Sequence, residues 1–450
     1  MELMNITDSF LEAIANARSR PLSDKLRIQV KKCLLDYLGT ALAGSVILDS
    51  QSKLYLDGFC TDRGEASVIG RSFRTGVCNA ALLNGIHSHS TELDDGHRYC
   101  IMHPGAPVFS SLLPFAQTEH TDPDLFLLSA VTGYEAAVRL ARSVQPGHKL
   151  KGYHATGTCA AAGAALAVAC AMNLDNNQTK NALSAAVAGM SGLLELIEDS
   201  SNLKAYNAGK SAMNGIVSAN LARSGFTGPN DVLGGKRGFF AVMSDDPDLV
   251  RVGSDIGEPY GIEGVYMKPY AACRYAHAPV QAALAIKERH GLRFEEIGSV
   301  LVETYDYAVP GHDHTNVAGT ASAKMSIPYS VAVSLVTGDA GMDAFQAPRL
   351  DDSSILELTR KVKVIKNDEL TALTPGIRAA IVRINTLKQS FCERVDYPYG
   401  EPENPLTHRD IEDKFISLAS YWGGSRQYAE SVIDMVWNLE ERFTDLLEAL

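Results

Sequence analysis

The stretch CAAAGAALAVACAMNL, residues 159–174, limits what this chain can fold into more than any other segment. It is apolar throughout, yet its side chains are too small to hold two backbones apart. It is also shorter than the roughly 20 residues that span a bilayer. A helix that is apolar all round belongs inside a protein, so the run predicts a closely packed helical core. NQTKNALSAAVAGMSGLLEL (177–196) and SAMNGIVSANLARSG (211–225) follow with the same Ala, Gly and Ser content. Upstream, LSDKLRIQVKKCLLDYLGTALAG (22–44) starts on Ser/Asp, keeps apolar residues three and four apart, and stops at glycine. CNAALLNGIHSHSTEL (78–93) and DPDLFLLSAVTGYEAAVRLARSV (122–144) repeat that pattern. The first 24 residues read as an amphipathic polar helix and not as a signal peptide.

Near residue 265 the texture changes. GSVLVETYDYAV (298–309), KVKVIKND (361–368) and RAAIVRINTL (378–387) are β-branched, aromatic and partly alternating, which predicts strands. Helical stretches at 276–291 and 326–339 lie between them. The loop DYPYGEPENPLTHRD (396–410), with three prolines, marks a second boundary before the chain returns to helix. The expected fold class is mainly α with an inserted α+β domain. A large all-helical domain is expected from 1–265 and 405–450, with a smaller α+β lid domain, built on an antiparallel sheet, from 266–404.

With 46% hydrophobic and 21% charged residues, the chain has the composition of a soluble globular protein of about two or three domains. A net charge of -12 leaves no broad basic field, so neither nucleic acid nor an anionic membrane is an expected partner. An anionic small molecule needs only a local cationic cluster. The eight cysteines are scattered without C-x-x-C, which suits reduced thiols and a cytoplasmic location.

Chemistry concentrates in HSHSTELDDGHRYCIMHPG (87–105), with four histidines, three carboxylates and a cysteine in nineteen residues. His89 and Glu92, three apart, are expected to share a helix face, with Asp94, Asp95, His97 and His103 following into a loop. The residue types suit a His/carboxylate metal site, an acid–base cluster without metal, or mere helix capping. Three further segments set cationic side chains among small residues. KGYHATGT (151–158) puts His154 ahead of a helix N-terminus, a place that can receive anions. SSNLKAYNAGKSAMNG (200–215) offers Lys204 and Lys210 in a loop leading to a helix, and MKPYAACRYAHAP (267–279) offers Lys268, Cys273, Arg274 and His277 at the expected domain junction. Each alone has a plain structural explanation. Together they suggest a cationic pocket for a multiply charged carboxylate. The Gly-Lys-Ser of AGKSAMNG is not a P-loop, because Lys204 stands where the upstream glycine is required.

At these residues the chain resembles the MmgE/PrpD family, which includes 2-methylcitrate dehydratase, cis-aconitate decarboxylase and iminodisuccinate epimerase. The matching blocks are NG-x-x-x-H-x-x-[DE]-x-DD-x…HP (Asn84 to Pro104), G-[YF]-H-x-T-G-T (Gly152 to Thr158), and residues 202–229, 268–277 and 322–332, in the family's order. The resemblance implies a helical domain with an α+β lid, usually in a homodimer, acting on di- or tricarboxylates without metal or organic cofactor. By position it implies Glu92 (usually Asp), His103, His154, Lys204, Lys268 and Tyr329 as site residues. Two departures stand out against aconitate-decarboxylase-like members: Cys273 replaces a histidine, and Gly96 replaces a threonine after the Asp pair.

The expected chemistry is proton transfer at a carbon next to a carboxylate. Lys204, Lys268 and Arg274 would hold carboxylates and stabilise an enolate, while His154 and His103 exchange protons. Tyr329 or Cys273 would supply a second acid, Cys273 with a thiol pKa lowered by Lys268 and Arg274. Glu92, Asp94, Asp95 and His277 would contact substrate or shape its pocket. The leading expectation is a metal-independent hydro-lyase of a citrate-like polycarboxylate. An epimerase of an amino- or imino-dicarboxylate is the alternative, ahead of a cis-aconitate decarboxylase or a silent scaffold.

Overall fold

The computed structural model describes residues 5–59, 64–197, 201–253 and 259–450. The chain divides into two compact units: Met1–Leu196, Leu203–Tyr266 and Thr407–Leu450 form the first, Ile197–Asn202 and Met267–Leu406 the second.

The first unit is a helical assembly centred on the alanine-rich run. Every residue of helix Cys159–Ala171 is buried, with helices Gly105–Glu119, Pro123–Arg142, Asn176–Ala188 and Tyr206–Arg223 packed around it. Small residues at the crossings permit this. A Cβ added to Gly85 would lie 2.6 Å from Gly209 Cα, and one on Gly209 would lie 2.1 Å from the carbonyl oxygen of Leu82. Helices Val77–Ser90 and Tyr206–Arg223 therefore meet backbone to backbone. Their ends are set by local chemistry legible in the sequence. Ser23 accepts the Leu26 N–H ahead of helix Asp24–Ile47, Asp122 caps Pro123–Arg142, and Asp175 with Gln178 forms a capping box before Asn176–Ala188. The C-terminal helices His408–Trp422, Arg426–Trp437 and Leu439–Ala449 pack back onto this unit.

The unit is not wholly helical. Strands β1 (Ala66–Ser67) and β2 (Arg74–Thr75) form one antiparallel ribbon, and β3 (Gly96–His97) and β4 (Val265–Tyr266) form another. Two residues per strand leave no periodicity for a sequence reading to detect. Among the described residues no single helix is long and apolar enough to cross a membrane.

The second unit carries a four-stranded sheet, β5 (Ile297–Thr304), β6 (Val362–Lys366), β7 (Ala380–Thr386) and β8 (Ser390–Val395), in the order β6-β5-β7-β8. The sheet is mixed, not antiparallel as expected: β5 pairs antiparallel with β7 but parallel with β6. The reason is the connection. Between β5 and β6 the chain passes through helices Ile327–Thr337 and Ser353–Arg360, and a long helical crossover returns a strand in the same direction. Ala380, Val382 and Ile384 alternate inward on β7, and helix His277–His290 packs on β7 and β8.

Candidate active site

The segment 87–105 breaks into parts with separate jobs. Helix Val77–Ser90 stops one turn earlier than expected, so His89 and Glu92 do not share a helix face. Thr91 closes the end: its Oγ1 donates to the Ser88 carbonyl and accepts the Leu93 N–H. Glu92 then takes φ 56°, the left-handed region that costs a non-glycine residue roughly 1–2 kcal/mol. That corner turns the following Asp pair back on the helix end. Lys414, from the C-terminal helix His408–Trp422, supports the corner by donating to the Leu93 carbonyl (2.7 Å) while paired with Asp36.

Three imidazoles and a carboxylate then meet. The Asp94 carboxylate lies 2.7 Å from His89 Nδ1 and 3.7 Å from His103 Nδ1. His103 Nδ1 donates to the Asp95 carbonyl oxygen at 2.6 Å, and its backbone N–H donates to Thr156 Oγ1. The His89 ring is 5.0 Å from that of His103 and 5.8 Å from that of His154. His154 receives the Nδ2–H of Asn207 on its Nδ1, at 3.1 Å. Beside this group Lys204 pairs with Glu92.

The hydrogen bonds dictate where the protons sit, because a neutral imidazole carries one N–H and one lone pair. His103 must bear its proton on Nδ1 to reach a carbonyl, leaving Nε2 as the basic atom. His154 accepts on Nδ1, so its proton is on Nε2, as in a donor. Burial, followed by the fields of His89, Lys204 and His103, holds the His154 pKa well below 6.5, so the ring is neutral near pH 7. The site thus pairs a basic imidazole nitrogen with a neutral N–H donor.

His89, Asp94 and His103 also lie close enough together to share one cation. With both Nδ1 atoms engaged, His89 on the Asp94 carboxylate and His103 on the Asp95 carbonyl, the lone pairs left for a cation are those on the Nε2 atoms.

Helix Tyr206–Arg223 grips the 154–157 turn through one face, with Asn207 on His154, Lys210 on the Gly157 carbonyl and Ser211 on the Thr156 carbonyl. Lys210 is therefore neither in a loop nor a pocket cation. It is buried within the helix, spends its remaining donors on Ser191, and has its pKa lowered by burial to about 8. The Gly-Lys-Ser triplet lies inside the same helix. The expected anion seat at the start of helix Cys159–Ala171 is also taken, since the Ala160 and Ala161 N–H groups bond to the Ala155 and Thr158 carbonyls.

The Asp95 carboxylate turns away from the imidazoles and accepts the Tyr134 hydroxyl (2.6 Å) and the Gly105 N–H (3.0 Å). It is an anchor inside the bundle where the sequence pointed to a substrate contact. Gly96, opposite Tyr266 across the β3–β4 ribbon, is equally constrained. A Cβ there would lie 2.4 Å from the Tyr266 hydroxyl oxygen, so the tyrosine ring occupies the space a threonine would need. His87 and His97 are buried, His87 against Ser52 Oγ at 2.7 Å.

The other expected site residues lie in the second unit. Lys268 is fully buried and Cys273 partly exposed. Arg274 is not a loose cation awaiting a carboxylate, because its guanidinium is paired with buried Glu401. His277 Nε2 faces the Ala272 carbonyl at 3.1 Å. The Tyr329 hydroxyl donates to the Ala344 carbonyl at 3.0 Å, and burial raises its pKa, both unfavourable to a proton donor.

Sequence reasoning passed over Asn207 and gave His89 no individual role within the metal, acid–base and capping options for segment 87–105. Asn207, Lys210 and Ser211 have i, i+3, i+4 spacing, a signal that one helix face carries polar groups into a small-residue core.

The family model described as the MmgE/PrpD N-terminal domain matches residues 8–251, and that of the MmgE/PrpD C-terminal domain matches residues 270–439. The cis-aconitate decarboxylase of Homo sapiens is 25% identical, covering 98% of this chain and 93% of its own. That of Aspergillus terreus is 23% identical over 98% and 94%. A cis-aconitate decarboxylase-like protein of Aspergillus oryzae is 24% identical over 92% and 91%.

Proposed function

The chain belongs to the MmgE/PrpD family, and on that premise we propose that it is a metal-independent lyase of a citrate-like di- or tricarboxylate, of the dehydratase type. The observation that carries this reading is the opposite proton placement on His103 and His154. His103 Nε2 takes the proton from the carbon next to a carboxylate, and the electron pair moves into that carboxylate as an enolate. Collapse of the enolate forms the alkene and expels the β-hydroxyl, which leaves as water with the proton that His103 Nε2 took up, while the Nε2–H of His154 hydrogen-bonds to the departing oxygen. A neutral imidazole is a suitable donor where a buried imidazolium would be unstable. Lys204, oriented by Glu92, offers the positive charge that favours the enolate.

The relatives favour cis-aconitate decarboxylation as a second reading. Against it, the ring of Tyr266 fills the place next to Asp95 where a threonine would project from residue 96, so this part of the chain is built differently.

The test is incubation with a panel of di- and tricarboxylates in D2O, followed by NMR. An alkene with loss of the hydroxyl supports the lyase. Carbon dioxide release establishes the decarboxylase, and deuterium uptake with inversion an epimerase. No exchange with any acid defeats all three. Activity abolished by exhaustive chelation and restored by a divalent ion would defeat the metal-independent part.

A further inference from the structure

Lys210 is buried, yet among the described residues its ammonium meets carbonyl and hydroxyl oxygens and no carboxylate. It donates to the Gly157 carbonyl at 3.3 Å, to Ser191 Oγ at 2.6 Å and to the Ser191 carbonyl. Burying a charge is costly unless it is paired, and a methionine would fill similar space without that cost. The three acceptors come from two separate stretches of chain. One is the turn 154–157 that carries His154; the other is the segment 191–192 beside it.

These stretches touch backbone to backbone. The His154 N–H donates to the Gly192 carbonyl at 3.1 Å, and a Cβ added to Gly157 would lie 2.6 Å from the Ser191 carbonyl oxygen. The Gly157 and Ser191 carbonyls thus converge on one cation. Carbonyl oxygens repel each other, and an ammonium between them turns that repulsion into attraction to a shared centre.

We propose that the ammonium of Lys210 is the clamp that positions His154: it fastens the 154–157 turn to segment 191–192 and so fixes the direction of the His154 Nε2–H toward the departing oxygen. Lys210 touches no reacting atom, so it is a positioning residue, and its effect on rate rests on the lyase reading. Hydrogen bonds from an ammonium are roughly twice as strong as those from a neutral amine, so the clamp weakens when the proton leaves. Burial alone lowers the Lys210 pKa to about 8. His87 and His89 on helix Val77–Ser90, Cys159 on Cys159–Ala171, Lys180 on Asn176–Ala188, Lys204, and His154 on the turn add nothing to that shift. The clamp is therefore full when Lys210 is protonated and weakens as pH rises through about 8.

Two measurements test it. The first is kinetic. Wild-type kcat should fall about tenfold as pH rises through about 8, with KM within about threefold, because charged hydrogen bonds give way to neutral ones. Lys210→Met should lose roughly 100-fold in kcat at about pH 7, the cost of a misplaced group, again with KM within about threefold. Its kcat should then stay level through the pH range in which the wild type falls. A variant within about twofold of wild type, one that loses KM and not kcat, or one that keeps the wild-type alkaline fall overturns the clamp.

The second measurement uses the wild type without substrate, so it stands even if Lys210→Met fails to fold. His154 is neutral from pH 7 upward, so its own titration cannot move its ring-nitrogen NMR signals there. Those signals should nevertheless shift with the same midpoint as the Nζ signal of Lys210. His154 signals that stay flat while Lys210 titrates overturn the clamp. If no polycarboxylate is turned over, the lyase reading falls, and the NMR result alone decides whether Lys210 holds His154.

Discussion

Asn207 shows how a single side chain decides the chemistry available nearby. Its Nδ2–H on His154 Nδ1 is what places the imidazole proton on Nε2, the atom proposed as donor. Asn207→Leu keeps the volume and removes the donor, so both tautomers become accessible. A neutral hydrogen bond contributes about 1 kcal/mol, and 1.36 kcal/mol is tenfold in rate. The variant should therefore lose about five- to tenfold in kcat with KM within about twofold, measured on whichever acid the substrate panel identifies. An unchanged kcat would mean that the His154 proton is not used. None of this was readable from the sequence. His154 stood out as a histidine ahead of a helix, but its partner lies 53 residues later. Asp94 and Asp95 show the same limit. Adjacent and chemically identical, they point to different places because Tyr134 and Gly105 claim one carboxylate and His89 the other.

At the scale of elements more was legible, since helices are local. The Ser/Asp starts, glycine stops and small-residue runs identified most of the long helices of the first unit, though not Gly105–Glu119 and with the ends of Asn176–Ala188 and Tyr206–Arg223 misplaced, and β5, β6 and β7 emerged from their alternation. Strand β8 did not, because its residues are largely exposed and mixed in polarity. The direction of β6 was lost as well, since strand direction depends on the path between strands. Where elements cross, the packing is close enough to predict an outcome. Gly209→Val would drive a branched side chain into the Leu82 carbonyl, and overpacking of a tight contact costs about 1–3 kcal/mol. An unfolding free energy lowered by that amount in denaturant titration is the expected result, and an unaltered value would show that the two helices can part. Lys414→Met tests the support beneath the Glu92 corner. It leaves Asp36, 2% exposed, without its cation, and breaking a buried pair from one side costs about 3–5 kcal/mol. The same unfolding measurement reads it, and activity should fall with the loosened loop.

For the whole molecule, the buried titratable groups make stability depend on pH in two opposing senses. The Asp95 carboxyl is raised from 3.8 to about 7, chiefly by burial, with the charges of Asp36 and Asp94 adding to it. The native state keeps a proton that the unfolded chain has released, so this contribution is full below about pH 4 and is lost as pH rises through about 7. Burial acts the other way on three histidines. His87 is lowered to about 3, His148 to about 4, and His154 well below 6.5. Below pH 6.5 the unfolded chain takes up protons that the native state refuses, so their contribution is full above that pH and fades as acid is added. Three groups outweigh one. Each changes by up to about 1.4 kcal/mol per pH unit within its window, so acidification from pH 7 to 5 should lower the urea midpoint despite Asp95. Asp95→Asn separates the two senses, because its amide serves Tyr134 and Gly105 without titrating. The variant should be more stable than wild type at pH 8 and lose stability more steeply toward pH 5. Parallel curves for the two proteins would mean that Asp95 is ionised in the folded protein, with Tyr134 and Gly105 alone sustaining its buried charge.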